Sequence, residues 1–233
     1  MPARLGLGME ANEGGFHDII PPVFGTLAGQ VAMADCAIDD DDYPGSLGCA
    51  DVRDRRRGML EEPRIAPLTK YAQALRRMGR GEVPDFDPLD GGVEAQTLFL
   101  LEKPGPVAAG SGFISRNNDD PTAKATFNFM DKARLKPSEY VIWNAVPWWN
   151  GTRRIRPAER EAGAEQLKEL LKLLPGVRVF VLVGRKAQQA APKVKGIKVI
   201  ESYHPSPIVR ARYPDKWRSI PKIWEEAKSY IEG

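Results

Sequence analysis

Four short apolar runs in the C-terminal half place the strongest constraint on how this chain can fold. Each consists mainly of Val, Ile, Leu and aromatic residues and is bounded by Gly, Pro or charged residues, which is typical of strands buried on both faces of a sheet. The runs are TLFLLE (97–102), YVIWNAV (140–146), VRVFVLV (177–183) and IKVIES (197–202). No apolar run approaches the roughly 18 residues that a membrane span requires, so we expect no membrane partner.

Helical patterns lie between and around these runs, with Pro at several starts and Gly or Pro at several ends. The candidates are residues 67–78, residues 122–134, a segment from Pro157 to Leu174, and short helices after Gly184 and after Pro214, the last running to the C-terminus. Strands that alternate with helices predict right-handed crossovers and a parallel sheet with helices on both sides. The sequence therefore predicts a three-layer α/β/α sandwich with a central four-stranded parallel sheet.

The first 60 residues differ from the rest of the chain. They are rich in Gly, Pro and Asp and show no sustained hydrophobic period, which predicts an irregular N-terminal extension over residues 1–60 and an α/β domain over residues 61–233. The opening fifteen residues lack the apolar segment of a secretory signal. We therefore expect a cytoplasmic protein, associated with the nucleoid if it binds DNA. In that compartment Cys36 and Cys49 are expected to remain unpaired thiols. Separately, we expect a monomer.

Charge is distributed unevenly along the chain. Residues 1–50 carry a net charge of −7, residues 51–100 balance, and residues 101–233 hold 24 basic and 14 acidic residues, a net charge of +10. Binding to a phosphate backbone requires a basic region of this kind. An ordinary solvated surface with lysine-rich helices would explain the same net charge. The candidate phosphate contacts are Arg116, Arg153, Arg154, Arg210 and Arg212, with Ser206 as a neutral donor.

Polar residues stand at the ends of three of the four predicted strands. Glu102 follows the first, Asn144 lies near the end of the second, and His204 follows the fourth. Each alone has a structural explanation: a surface acid, an amide that satisfies a backbone group, or a loop histidine. Because ligands of open parallel sheets bind beyond the carboxyl ends of the strands, the three together favour a functional site.

At these residues the chain resembles the uracil-DNA glycosylase superfamily. SYHPSPIV (202–209) is similar to the superfamily's His-Pro-Ser-Pro motif and the apolar wedge that follows it, and WNAV (143–146) resembles its strand-end Asn segment. LEKPGP (101–106) is similar to the Gly-Glu-x-Pro-Gly loop of the iron–sulfur-containing class. Order and spacing agree over about residues 95–230. Two cysteines cannot form a four-thiolate cluster, so the resemblance implies a branch with no metal and no cofactor.

The resemblance implies a role for each matching residue at the reacting base. Glu102 and His204 would be catalytic, Glu102 by orienting a water molecule and His204 by donating a hydrogen bond to the departing base. Asn144 would bind the edge of the base and Phe113 would stack on its face. Gly105 stands where the classical uracil enzymes carry a tyrosine that excludes the thymine methyl group.

Further matching positions bear on DNA binding and on the departures from the family pattern. Ile208, which follows Ser206 and Pro207, would be the wedge that enters the base stack. Lys103 stands where the classical enzymes carry a water-activating Asp, and Leu101 replaces the leading Gly of the first motif. These departures leave the base specificity more open than the reaction type.

Three functions follow from these observations. The first is a DNA glycosylase that flips uracil out of single- or double-stranded DNA and removes it by hydrolysis, leaving an abasic site for base excision repair. The second keeps the reaction but changes the base to hypoxanthine, xanthine or another lesion, because Gly105 leaves the methyl-excluding position open. The third is a non-catalytic nucleic-acid-binding protein, which the net charge of +10 and the altered first motif also allow.

Overall fold

The computed structural model describes residues 41–190 and 196–233, and its elements are numbered within those ranges. The strands are β1 Asp85–Phe86, β2 Thr97–Leu101, β3 Phe113–Ile114, β4 Tyr140–Asn144, β5 Val179–Val183 and β6 Lys198–Ser202. The α-helices are α1 Ala50–Gly58, α2 Ala66–Arg76, α3 Pro106–Ser111, α4 Pro121–Lys132, α5 Pro157–Lys172, α6 Arg185–Ala190, α7 Pro207–Arg212 and α8 Pro214–Glu232. Single 3₁₀ turns occur at Ser46–Gly48, Gly92–Glu94 and Pro137–Glu139.

Four strands form a parallel sheet in the order β4-β2-β5-β6. The register places Leu101 beside Asn144 and Val183 beside Ser202, so the carboxyl ends of all four strands meet at one edge. The four strands and the parallel sheet that the sequence predicts are confirmed, with bounds that differ by at most two residues.

Helices cover both faces of this sheet because side chains alternate between the faces along each strand. On one face Phe99 packs edge-on against Trp224 of α8, with 5.0 Å between the ring centroids, and Phe129 of α4 packs against the same tryptophan at 6.0 Å. On the other face Trp143 lies 6.1 Å from the ring of Tyr71 in α2, whose hydroxyl donates to a carbonyl oxygen of α5. The predicted three-layer sandwich is confirmed.

Helix α4 illustrates why the predicted helices begin where they do. The side chain of Asp120 accepts hydrogen bonds from the amides of Thr122 and Ala123 at 2.8 and 3.0 Å, and Pro121 occupies the first helical position. The predictions for α2, α4, α5, α6 and α8 are confirmed, whereas α1, α3, α7 and the two-residue β1–β3 pair were not predicted. None of the helices described has both the length and the apolarity to cross a bilayer.

The predicted irregular extension is not irregular throughout. Its described part, residues 41–60, contains the helix α1, and Leu47 and Val52 are buried there in a small apolar cluster. Residues 1–40 lie outside the described residues, so the extent of the extension stays a prediction. Cys49 is disulfide-bonded, which contradicts the expected free thiol; that expectation rested on the compartment and not on geometry. Cys36 lies outside the described residues.

Candidate active site

One cavity at the carboxyl edge of the sheet contains the three polar residues that the sequence places at strand ends. Glu102 lies directly after β2, Asn144 is the last residue of β4, and His204 follows β6; all three line this cavity of about 430 Å³. Its volume falls within the range of roughly 300–1,000 Å³ that is usual for small-molecule sites. The structure therefore brings together a carboxylate, a carboxamide and an imidazole that are far apart in the sequence.

The side-chain amide of Asn144 has no internal hydrogen-bond partner. The residue is 3% exposed, and its amide makes no hydrogen bond to any other residue that the structure describes. The amide is not among the fully buried polar atoms that lack a partner, so solvent in the cavity reaches it. Because Asn144 lines the cavity, a bound molecule can supply the missing donor and acceptor.

Backbone pairing fixes Glu102 and Asn144 relative to each other. Beyond the ends of the strands, the Ala145 amide donates to the Leu101 carbonyl at 2.8 Å and the Val146 amide donates to the Glu102 carbonyl at 3.0 Å. Helix α5 packs closely against this segment at Gly163. Only glycine fits there, since a Cβ at this position would lie 2.1 Å from the Ala145 carbonyl oxygen. The positions of the carboxylate and the carboxamide are thus set by the sheet and by α5.

Glu102 forms an ion pair with a residue that sequence reasoning missed. The ammonium nitrogen of Lys186, in α6, lies 3.2 Å from each carboxylate oxygen of Glu102 and 3.5 Å from the Arg153 carbonyl oxygen. The Glu102 side chain is still 27% exposed, so water can reach it. A single lysine after a predicted strand belongs to no recognisable motif. Only the folded structure therefore identifies Lys186 as the ion-pair partner of Glu102.

The imidazole of His204 is held in its neutral form. Desolvation by burial lowers the pKa of His204, and the nearby positive charges of Lys186 and Arg153 lower it further, while Glu102 opposes this shift. A neutral ring keeps one N–H donor and one acceptor nitrogen. His204 can therefore donate a hydrogen bond into the cavity at neutral pH without a net charge of its own.

Gly184 leaves the space that His204 occupies, and its replacement provides the first test of the site. Its φ is +87°, and a Cβ would lie 3.2 Å from the His204 Cβ and 3.4 Å from its ring Cδ2. Because misplacement of about 1 Å can lower the rate of a catalysed step by about 10²-fold, we expect Gly184→Ala to displace the imidazole and to lower by up to that factor the base release that the resemblance to DNA glycosylases implies. Single-turnover kinetics on a DNA substrate would measure this.

A matched control separates displacement of the ring from backbone strain. Gly196 has a similar φ of +81° but no atom within 4 Å of an added Cβ, so Gly196→Ala has a comparable strain cost of about 1–3 kcal/mol. The two variants should show similar losses of melting temperature, and only Gly184→Ala should lose activity. Equal activity in the two variants would contradict the positioning role.

Lys103, which replaces the Asp of the classical uracil enzymes, is engaged elsewhere. Its ammonium group is bound by Glu159 at 2.9 Å and by the Asn150 side-chain oxygen at 2.7 Å, and its side chain is 1% exposed. Burial alone would raise the pKa of Glu159, but hydrogen bonds from the Arg156 amide and from Lys103 lower it overall. Lys103 thus ties the loop after β2 to α5.

The predicted wedge segment lies at the mouth of the cavity. Ser206, Pro207 and Ile208 all line it, and Ile208 is 67% exposed. The Ser206 hydroxyl accepts the Val209 amide at 3.4 Å and caps α7, so α7 presents Ile208 on a short structured segment. Gly105 also lines the cavity.

Phe113 and Arg210 are among the predicted site residues that do not line this cavity. Phe113 is 1% exposed and packs with Leu47 and Val52 in a separate apolar cluster, so the structure does not place its ring where it could stack on a base. The guanidinium of Arg210 lies 5.1 Å from the ring centroid of Trp217, outside the lining of the cavity. Residues distant in sequence cover the Phe113 ring, and the motif around it does not reveal this burial.

Arg116 and Arg153 differ in their suitability as phosphate contacts. Arg153 lines the cavity and is exposed. Arg116 also lines it, but the residue is 5% exposed, ion-paired with Asp42 and placed over the ring of Phe127 at 4.3 Å. Its charge is buried and already compensated, an arrangement that does not favour the predicted role as a surface phosphate contact.

Residues before position 91 hold the wall of the cavity. The Ser115 hydroxyl donates to Asp87, which is also ion-paired with buried Arg56 of α1. Asp90 accepts a hydrogen bond from the Ile142 amide at 3.3 Å on the free edge of β4. Burial, reinforced by Asp87, raises the pKa of Asp90 well above its usual value. These contacts link the cavity wall to the N-terminal part of the described chain.

The fold is an α/β sandwich with a cavity at the carboxyl edge of its parallel sheet, lined by a carboxylate, a carboxamide and an imidazole. A comparison with known protein families matches residues 90–228, more than half of the chain, to the uracil DNA glycosylase superfamily. The chain belongs to this superfamily, whose members are DNA glycosylases: hydrolases of DNA repair that cleave the N-glycosidic bond between base and sugar. A comparison with curated proteins found no match.

Proposed function

We propose that this protein removes uracil from DNA by hydrolysis and leaves an abasic site. The observation that carries this proposal is the Asn144 side-chain amide, which has no hydrogen-bond partner among the described residues and lines the same cavity as Glu102 and His204. The protein would act on single- or double-stranded DNA, as a monomer and without a cofactor.

Asn144 can distinguish uracil from cytosine by its hydrogen-bonding groups. Its side-chain oxygen would accept from the ring N3–H of uracil, and its NH₂ group would donate to the adjacent O4. Cytosine presents the reverse arrangement at these two positions, an acceptor nitrogen beside a donor NH₂. A carboxamide held in one orientation therefore favours the deaminated base.

Glu102 and His204 would divide the chemistry between the sugar and the base. As the N-glycosidic bond breaks, its electron pair leaves with the base, and the sugar acquires positive charge. His204 would donate a hydrogen bond to the base oxygen on which negative charge develops. Glu102 would stabilise the sugar cation and orient the water whose oxygen bonds to C1′, while the proton lost by that water passes to the carboxylate or to solvent.

The base must first leave the stack, at a cost of a few kcal/mol. Ile208 is suited to fill the space left behind, because it is an exposed apolar side chain at the mouth of the cavity. Arg153, exposed on the same rim, would contact a nearby phosphate.

The substitution Asn144→Asp tests the proposal most directly. It keeps the size of the side chain but replaces the NH₂ donor by a carboxylate oxygen that repels uracil O4. We expect the rate of uracil release to fall by about 10²–10³-fold, the loss typical for removal of one preorganised donor. The measurement uses an end-labelled oligonucleotide with one uracil, treated with alkali after incubation to break the strand at abasic sites.

Asn128→Asp serves as the matched control for this experiment. Asn128 is an exposed amide on α4 and does not line the cavity, so its change should leave uracil release within twofold of the unmodified protein. Wild-type release by Asn144→Asp would remove the recognition role. An unmodified protein that forms no abasic sites on any damaged strand, but binds DNA in a salt-dependent way, would favour the non-catalytic alternative.

A second candidate function, release of a larger deaminated base, is favoured by the space around Gly105. A Cβ added at Gly105 would meet only the Arg153 guanidinium, at 3.6 Å, an ordinary contact distance. This side of the cavity therefore lacks a fixed bulky group. A panel of strands that each carry uracil, hypoxanthine or xanthine separates the two candidates, and cleavage of a hypoxanthine or xanthine strand with uracil untouched would decide for the second.

A further inference from the structure

Two exposed tyrosines and a lysine form a cluster beside the mouth of the cavity. Tyr203 directly precedes His204, Tyr213 connects α7 to α8, and Lys216 lies in the first turn of α8. The Lys216 ammonium nitrogen lies 5.3 Å from the ring centroid of Tyr203 and 4.9 Å from that of Tyr213. We call these three residues the tyrosine–lysine cluster; its rings are 39% and 53% exposed.

The charge of the cluster is not compensated by an acidic partner. Within residues 41–190 and 196–233, no carboxylate forms an ion pair with Lys216, and the adjacent Asp215 is paired with Arg218 at 2.5 Å. Arg210 and Arg212, in the last turn of α7, are also exposed. The surface therefore combines accessible aromatic area with positive charge, which is the combination that binds nucleic-acid strands.

The cluster is continuous with the site. The chain runs from Tyr203 through His204 in the cavity, then through Ser206, Pro207 and Ile208 at its mouth, and reaches Tyr213 after the single short helix α7. A strand with one nucleotide in the cavity must continue over a surface that borders this mouth.

We propose that the tyrosine–lysine cluster binds the unpaired DNA strand next to the flipped nucleotide. The inference rests on the proposed function in that it takes DNA as the substrate. The tyrosine rings would stack on bases adjacent to the flipped one, and Lys216 would neutralise a phosphate between them. Bases in a duplex are already stacked and paired, so this surface favours an unpaired strand over a duplex of the same sequence.

The test measures binding to uracil-free oligonucleotides, so that it does not depend on base release. The same labelled strand is titrated alone and as a duplex, and Kd is read from fluorescence anisotropy. We expect Tyr203→Ala and Tyr213→Ala each to weaken binding to the single strand by about tenfold, an order of magnitude set by base–aromatic stacking, and to weaken duplex binding by less than twofold.

Exposed residues elsewhere supply matched controls. Tyr230, 46% exposed, lies 14 residues beyond Lys216 on α8, about 21 Å along the axis, and Tyr230→Ala should leave both affinities unchanged. Lys216→Gln should reduce the slope of log Kd against log salt on the single strand by about 0.7. Lys198→Gln, at the opposite end of β6 from the cavity, should leave that slope unchanged.

The outcomes distinguish this inference from the proposed function. Equal weakening of single-strand and duplex binding would overturn the assignment to an unpaired strand. Unchanged binding by Tyr213→Ala, whose site is not adjacent to His204, would show that the tyrosine–lysine cluster does not bind DNA. A protein that releases no uracil but loses single-strand affinity in both tyrosine variants would support the cluster while the glycosylase proposal fails. Melting temperatures of the variants show whether a loss of affinity reflects unfolding.

Discussion

Replacing Glu102 by Gln is expected to lower the rate of base release by about 10²–10⁴-fold, the range of a lost general base, while DNA binding persists. The amide keeps the shape of the side chain but loses the negative charge that would orient water and stabilise the sugar cation. Single-turnover release measures the first effect, and anisotropy with an uncleaved strand measures the second. Comparing the loss of rate with the loss of DNA affinity is informative, because an interaction made only in the transition state affects turnover and not binding.

The control for this change is a glutamate outside the cavity. Glu165, exposed on α5, is ion-paired with Lys168 at 2.7 Å, as Glu102 is with Lys186. Glu165→Gln should therefore leave the rate within twofold. Full activity in Glu102→Gln would show that the carboxylate has no part in the reaction, whatever its place in the cavity.

Removal of the imidazole by His204→Ala should produce the second large effect. We expect base release to fall by about 10²–10³-fold, the usual loss when one preorganised donor to a developing anion is removed. The deletion also opens space beside Gly184, which packs against the ring, so the melting temperature should be recorded with the rate. Unchanged turnover in a folded His204→Ala protein would remove the imidazole from the mechanism.

The pH dependence of the rate reports on the same residue. Burial, reinforced by Lys186 and Arg153 and opposed by Glu102 and Asp120, lowers the pKa of His204 below its ordinary value of 6.5. The ring is therefore neutral at pH 7 and becomes protonated only as the pH falls through that lower pKa. A protonated ring would pair with Glu102 and withdraw its charge from the sugar, so the rate should decline as the pH falls through that lowered pKa, and His204→Ala should lose this part of the acid limb.

Much of the fold follows from local sequence patterns. The four sheet strands are predicted to within two residues, because short continuous apolar runs bounded by Gly, Pro and charged residues are typical of strands buried on both faces. The starts of α4 and α5 were marked by Pro121 and Pro157. The helices α3 and α7 were missed because six residues are too few to show a period. Helix α1 was missed because its sequence, ADVRDRRRG, has only Ala50 and Val52 as apolar residues besides glycine.

The sequence predicts the positions of those site residues that the parallel sheet alone determines. It does not predict which side chains are covered by segments distant in the sequence. Glu102, Asn144 and His204 meet because strand ends of a parallel sheet share one edge. The burial of Phe113 depends on Leu47 and Val52, and that of Arg116 depends on Asp42, all from a region predicted to be irregular. No pattern in the sequence signals that Lys186 pairs with Glu102.

The ion pairs behind the cavity wall limit how far the protein can be shortened from its N-terminal side. The matched superfamily range begins at residue 90, but Arg116 is paired with Asp42, and Ser115 is held through Asp87 and Arg56. A shortened protein that started at residue 90 would keep every candidate catalytic group and still leave a buried guanidinium without its counter-charge, a defect that typically costs 3–5 kcal/mol. The range that matches the superfamily is therefore shorter than the part of the chain that holds the cavity wall in place, because residues before position 90 supply the counter-charges and hydrogen bonds of that wall.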